Sequence, residues 1–146
     1  MGKINWKRVF LGGLLAGVVL NVLGYATWAI YLGKLYRPAL EALGNPIRES
    51  VGLYVFVVVM SFVVGILAIW LYAAIRPRYG AGPKTAVIAG IAFWILSGLL
   101  ASISFGSLGL FPVSLLIIDS LTYLVTVVVA TWLGAWFYQE QSQQGG

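Results

Sequence analysis

Asp119 is the one acidic residue inside a long apolar stretch of this sequence, and Thr122, Tyr123 and Thr126 follow it at i+3, i+4 and i+7. On a helix those offsets set a carboxyl group and three hydroxyls along one face. A charge near the centre of a lipid-spanning helix costs about 2.5–3.5 kcal/mol on insertion scales and less toward its ends, so this face is expected to meet protein or water. Two readings stand for Asp119: a paired acid that fixes helix register, or a proton or cation site lining a cavity. Counting about 1.5 Å per residue from Pro112 places it roughly 10 Å along its helix. At that depth Tyr25 and Trp28 of the first apolar stretch, and Ser102 and Ser104 of the third, are candidate hydrogen-bond donors. Lys34 or Arg37, with long apolar stems, are candidate counter-ions. Asn21 falls near the midplane of the first stretch, where its amide is expected to find an interhelical partner. The expected intramembrane polar set is Asp119, Asn21, Tyr25, Trp28, Tyr123 and Thr126.

Little other chemistry is on offer. Glu41 and Glu49 straddle a turn among basic neighbours, which reads as solvated loop charge rather than a two-carboxylate acid–base pair. The chain has no Cys and no His, so it cannot itself supply a disulfide, a thiolate nucleophile, an iron–sulfur ligand or a haem-ligating imidazole. No nucleotide loop or metal-ligand spacing is present. The expectation is a non-enzymatic chain with no catalytic residues, no metal site and no cofactor.

Positioning these residues falls to four uncharged apolar stretches, at about 9–32, 51–75, 85–105 and 113–138, in a chain of 146 residues that is 61% hydrophobic and 9% charged. Each exceeds the roughly 20 residues that cross a hydrocarbon core about 30 Å thick. The predicted architecture is all-α: a polytopic membrane protein formed as one four-helix transmembrane bundle over 1–138, with helices at about 9–32, 47–75, 84–105 and 112–138. A loop at 33–46 is expected to hold a short interfacial helix with Pro38 at its start and Gly44 at its stop, after which Asn45 and Pro46 start the second helix. Residues 139–146 are polar and expected to be disordered.

The formal net charge of +5 does not indicate nucleic acid, because the Lys and Arg residues flank apolar segments and form no block. Lys3, Lys7 and Arg8 precede the first helix, and Arg76, Arg78 and Lys84 fill the second connection. The positive-inside rule therefore predicts cytoplasmic termini. The apolar run after this basic start is longer than a signal-peptide core, so the first helix is expected to be retained.

Small residues recur at helical spacing. Gly13, Gly17, Asn21 and Gly24 mark the first helix, Ser61 and Gly65 the second, Ala86, Gly90, Trp94, Gly98, Ser102 and Gly106 the third, and Ala130 and Gly134 the fourth. In lipid, apolar side chains gain little by touching each other rather than acyl chains, so small stripes that let backbones approach mark helix contacts. They are expected to pack one bundle or to serve self-association. Trp6 at the start, and Trp132, Trp136 and Tyr138 at the end, fit interfacial aromatic anchors.

The opening INWKRVFLGGLLAGVVLN (residues 4–21) and the later RPRYGAGPKTAVIAG (residues 76–90) resemble a group of uncharacterised small bacterial membrane proteins. The resemblance spans most of the chain and implies four crossings of a bacterial inner membrane, without an activity. A small multidrug exporter has similar length and helix count, but would carry its acid in the first helix, where this chain has Asn21. The leading expectation is an accessory or structural subunit acting through helix contacts, as a homo-oligomer or within a larger membrane complex. The alternative is a small oligomeric transporter or channel using Asp119.

Overall fold

A computed structural model describes residues 4–138 and builds them from four long helices: α1 (Trp6–Ala42), α2 (Val51–Tyr79), α3 (Pro83–Ser107) and α4 (Val113–Ala135). All four are long and apolar enough to cross a membrane, and the described chain is a membrane-embedded helical bundle. The expected tail at 139–146 lies outside the described residues.

Each helix has a local reason for its ends. The Asn5 side chain accepts a hydrogen bond from the Arg8 N–H at 3.2 Å and caps α1, while the Ser50 hydroxyl accepts from the Leu53 N–H at 3.2 Å and caps α2. These bonds occupy N–H groups that the first helical turn leaves without partners. Gly44, with φ of 71°, turns the chain out of α1, and the Asn45 N–H reaches back to the Leu40 carbonyl at 3.0 Å. This is the left-handed C-terminal stop that only glycine adopts freely. Gly80 and Gly82, with φ of 87° and 134°, make the α2–α3 turn, which the Thr85 hydroxyl closes by donating to the Gly80 carbonyl at 2.7 Å.

Several boundaries differ from expectation, among them the end of α4 at Ala135 rather than 138. No separate interfacial helix starts at Pro38, because α1 runs on to Ala42. Gly33 does not break it: the residue is helical and packs against Trp28, where a β-carbon would stand 2.9 Å from the Trp28 carbonyl oxygen. The second helix starts at Val51 rather than near Pro46, with Ser50 rather than Asn45 as its cap, and it runs through Pro77 to Tyr79. Pro112 precedes α4 in an extended conformation, ψ 136°, instead of opening its first turn.

Two helices contain a π-helical turn. In α1 it spans Trp28–Leu32, with the Gly33 N–H reaching the Trp28 carbonyl, and in α3 it spans Ile95–Leu99, with the Leu100 N–H reaching the Ile95 carbonyl. Such turns insert one extra residue and rotate everything beyond them.

Packing is uneven along the bundle. α1 lies most extensively against α2 and α3 against α4, while α1 and α4 meet across the centre. The core of Val9, Ala16, Ile69, Tyr72, Ala86, Ala89, Val127 and Ala130 gathers at the end that carries the described termini and the 80–82 turn. Here glycines bring backbones together. A β-carbon on Gly12 would stand 2.6 Å from the Gly134 oxygen, and one on Gly13 would stand 2.5 Å from the Ile66 Cα. Gly17 abuts Phe62, and Gly90 abuts Val128 at 2.9 Å. Tyr138, expected as an interfacial anchor, is instead buried. Its ring meets Tyr72 edge-on, the Arg76 guanidinium lies 5.4 Å from its centroid, and its hydroxyl accepts from the Asn5 N–H at 3.3 Å. Trp132 and Trp136 stay exposed. At the opposite end the helices part, and each of residues 51–60 of α2 is exposed.

Candidate functional site: an acidic cavity between α1, α3 and α4

Where the helices part, a cavity of about 340 Å³ opens beside Asp119. α4 presents Asp119 two turns from its start, with Leu116, Ser120 and Tyr123 on the same face. α3 contributes Ser97 and Gly98 from its π turn, then Ala101, Ser102 and Phe105. Tyr36 of α1 and Phe111 of the α3–α4 turn close the end. The Tyr36 side chain pairs with the Asp119 carboxyl group.

Much of the remaining lining is aromatic. Phe111 meets the rings of Tyr36 and Phe105 edge-on, at centroid distances of 5.6 and 6.3 Å, and Trp28 stacks on Tyr36 at 6.0 Å. The π turn explains that stack. On a regular helix, residues eight apart differ by about 80° in rotation, whereas one inserted residue brings them within roughly 20°.

Most hydroxyls in the lining are already engaged. Ser97 donates to the Phe93 carbonyl at 2.7 Å and meets the Tyr123 hydroxyl at 3.2 Å. The Trp94 indole N–H donates to the Ser120 carbonyl at 2.8 Å and to its hydroxyl at 3.2 Å. Beside the cavity, the Tyr31 and Thr122 hydroxyls are 2.6 Å apart and join α1 to α4.

The lining holds one acidic residue and no Lys or Arg. Neither expected counter-ion reaches Asp119. Arg37 pairs instead with Glu49 at 2.5 Å, and Lys34 lines a second cavity of about 290 Å³ together with Arg37, Glu49, Tyr25, Trp28 and Tyr54. The guanidinium holds the Glu49 carboxyl below the usual glutamate range, chiefly by its hydrogen bond and then by charge. Among the described residues, no three His, Cys, Asp or Glu side chains come together to hold a metal.

Of the expected polar set, only Asp119 and Tyr123 meet in the cavity, joined by Gly98 and Ser102 of the small-residue stripe. Tyr25 points away and is 74% exposed. Trp28 touches the site only through Tyr36. Asn21 finds its interhelical partner elsewhere, donating to the Val58 carbonyl of α2 at 3.4 Å and to the Gly17 carbonyl of its own helix at 2.9 Å. Thr126 is buried and donates to the Tyr123 carbonyl at 3.0 Å. Ser104 bonds its own helix at the Leu100 carbonyl. Gly24, placed in the first stripe, faces open space.

Tyr36 escapes the sequence reading because it falls in 33–46, expected to be a loop outside the first helix, and Phe111 because it lies in the α3–α4 turn, where no helical spacing points to it. The i+4 series Trp28, Leu32, Tyr36, Leu40 carries the signal that the first helix continues.

Fold and site together define a four-helix membrane protein with one acid, and no Lys or Arg, lining a cavity at the open end of its bundle. No family model, no curated protein and no solved structure matches the chain.

Proposed function

We propose that the protein is a small transporter or channel, oligomeric in a bacterial cytoplasmic membrane, in which Asp119 is the proton or cation site. One observation carries this reading: Asp119 borders a cavity of about 340 Å³ whose lining contains no basic residue. An acid that fixed helix register through an ion pair would have Lys34 or Arg37 beside it, and neither lines this cavity. One left with only hydroxyl neighbours can take up a proton or a cation and release it again. The π turn of α3 supports the same reading, since such turns frequently lie at functional sites and this one supplies Ser97 and Gly98 to the lining. The basic residues near the start of α1, in the last turn of α2 and at the start of α3 favour cytoplasmic termini, with the cavity toward the opposite face.

The test is reconstitution of the full chain in liposomes carrying an internal pH-sensitive dye, with imposed proton and alkali-cation gradients. Flux in the native protein that is lost in Asp119→Asn is the expected result. Equal flux in both proteins, or none in either, would overturn the proposal.

A second reading has its own support. Residues 51–60 of α2 are all exposed, as expected of an accessory or structural subunit acting through helix contacts. The size and composition of the complex after mild extraction discriminate between the two. A stoichiometric set of other proteins favours the subunit, and a homo-oligomer alone favours transport.

A further inference from the structure

The chemistry of the lining narrows what Asp119 can bind. A divalent ion requires about six or more oxygen ligands, usually with more than one carboxylate. Here there is one carboxylate, and the hydroxyls of Ser97, Ser120 and Tyr123 are already hydrogen-bonded within the protein. The other side-chain oxygens of the lining are the neutral hydroxyls of Tyr36, Ser97, Ser102, Ser120 and Tyr123. One carboxylate among neutral hydroxyls matches a single positive charge better than a divalent one.

The rest of the lining is aromatic and apolar. Tyr36, Phe111 and Phe105 form a chain of edge-to-face rings, with Tyr123 on the α4 side and Leu116 between. Ring faces attract a weakly hydrated cation, and the attraction grows where water is excluded. A volume of about 340 Å³ lies at the small end of the roughly 300–1,000 Å³ typical of organic-ligand pockets. It far exceeds what a bare alkali ion occupies.

Resting on the Asp119 reading above, we propose that the cavity binds a hydrophobic monovalent ammonium ion. Its charge lies against Asp119 and its apolar groups lie among Tyr36, Phe105, Phe111 and Tyr123. One positive charge matches one carboxylate, and the remaining surface is covered by rings rather than by further acids. The absence of Lys and Arg from the lining removes the internal cation that would compete.

The experiment is calorimetric titration of the full chain in detergent with benzyltrimethylammonium, with neopentylbenzene, its uncharged carbon counterpart, as competitor. The expected result is saturable binding that falls at least tenfold in Asp119→Asn. It also falls about threefold to thirtyfold in Phe111→Leu, which keeps an apolar side chain but removes the ring face. Binding is unchanged in Glu49→Gln, whose acid lines the other cavity, and neopentylbenzene does not displace the cation. Each variant is first shown to be monodisperse with a native melting profile, and the two site variants test charge and ring independently.

No binding of the ammonium ion, equal binding to Asp119→Asn, or equal displacement by neopentylbenzene would each overturn the proposal. Asp119-dependent binding of radiolabelled sodium without binding of benzyltrimethylammonium would reject the organic-cation class while leaving Asp119 as a cation site. Loss of Asp119 dependence in both titration and flux would reject the two readings together.

Discussion

Gly65→Ala adds one methyl group at the tightest crossing of α1 and α2. The new β-carbon would lie 2.5 Å from the Gly17 nitrogen and 3.0 Å from the Gly17 Cα, with the Gly13 carbonyl oxygen also in its path. Ordinary contact begins at 3.4 Å, so the backbones must part by about 0.9 Å. These neighbours are main-chain atoms, which no rotamer change can move aside. Overpacking of this kind costs about 1–3 kcal/mol, and a gap of 0.5–1 Å forfeits roughly a quarter to a half of each van der Waals contact along the seam. Against this stands a helix-propensity gain of at most about 1 kcal/mol for Ala over Gly.

The net expectation is a loss of about 1–2 kcal/mol, or roughly 2–8 °C in melting temperature on the scale of soluble chains of this size. The assay is thermal unfolding in detergent beside Gly24→Ala and Gly98→Ala. Gly24 faces open space, and its variant is expected to melt at or above the native temperature. At Gly98 the nearest atom is Tyr123 Cδ1 at 2.5 Å, part of a side chain that can swing into the cavity, so an intermediate loss is expected. If Gly65→Ala melts no lower than Gly24→Ala, the close backbone crossing is wrong.

Asp119→Asn removes an ionisable group from a partly buried site and keeps an acceptor for Tyr36, so its melting temperature is expected to equal or exceed the native one; a clear drop would show that the charge itself holds the bundle. Trp94→Phe deletes the indole donor that ties α3 to Ser120 of α4 at 2.8 Å and is expected to cost about 0.5–1.5 kcal/mol in the same melt, with no loss counting against that tie. Glu49 has its folded pKa lowered by Arg37, so the contribution of this pair is present above the ordinary glutamate range and disappears as pH falls through the depressed value. A carboxyl titration followed by NMR is expected to place the Glu49 midpoint below that of Glu49 in Arg37→Gln, and coincident midpoints would refute the pairing.

Much of the architecture was legible because lipid imposes simple conditions. Four stretches of sufficient length and apolarity have to cross, and every backbone polar group within them has to be satisfied internally, which leaves helices. The stop at Gly44 was legible for a related reason: there the chain takes positive φ, where a side chain is strained. Asp119 stood out as an acid in apolar surroundings, and its need for polar company followed from desolvation alone. The identity of that company did not. Tyr36 entered through a helix that continues past Gly33, and Phe111 through a turn, while the sequence reading looked to Lys34 and Arg37 because opposite charges attract. In the folded chain Arg37 meets Glu49, which approaches from the segment before α2.

Hydrophobic length, helix type, the order of the four spans and the presence of a lone acid thus follow from the residues themselves, because each is a local balance of side chain, backbone and solvent. Tertiary structure decided the rotation of each helix and therefore which stripes touch: Gly65 is locked against Gly13 and Gly17, while Gly24, a few residues on, meets nothing within 4 Å. It also decided that Tyr138 is core and that Trp28 and Tyr36 share a face. The physical reason is that lipid wets every apolar face almost equally, so periodicity cannot say which face packs. Only the fit of one backbone against another, and the extra residue in each π turn, fixes where the polar side chains meet.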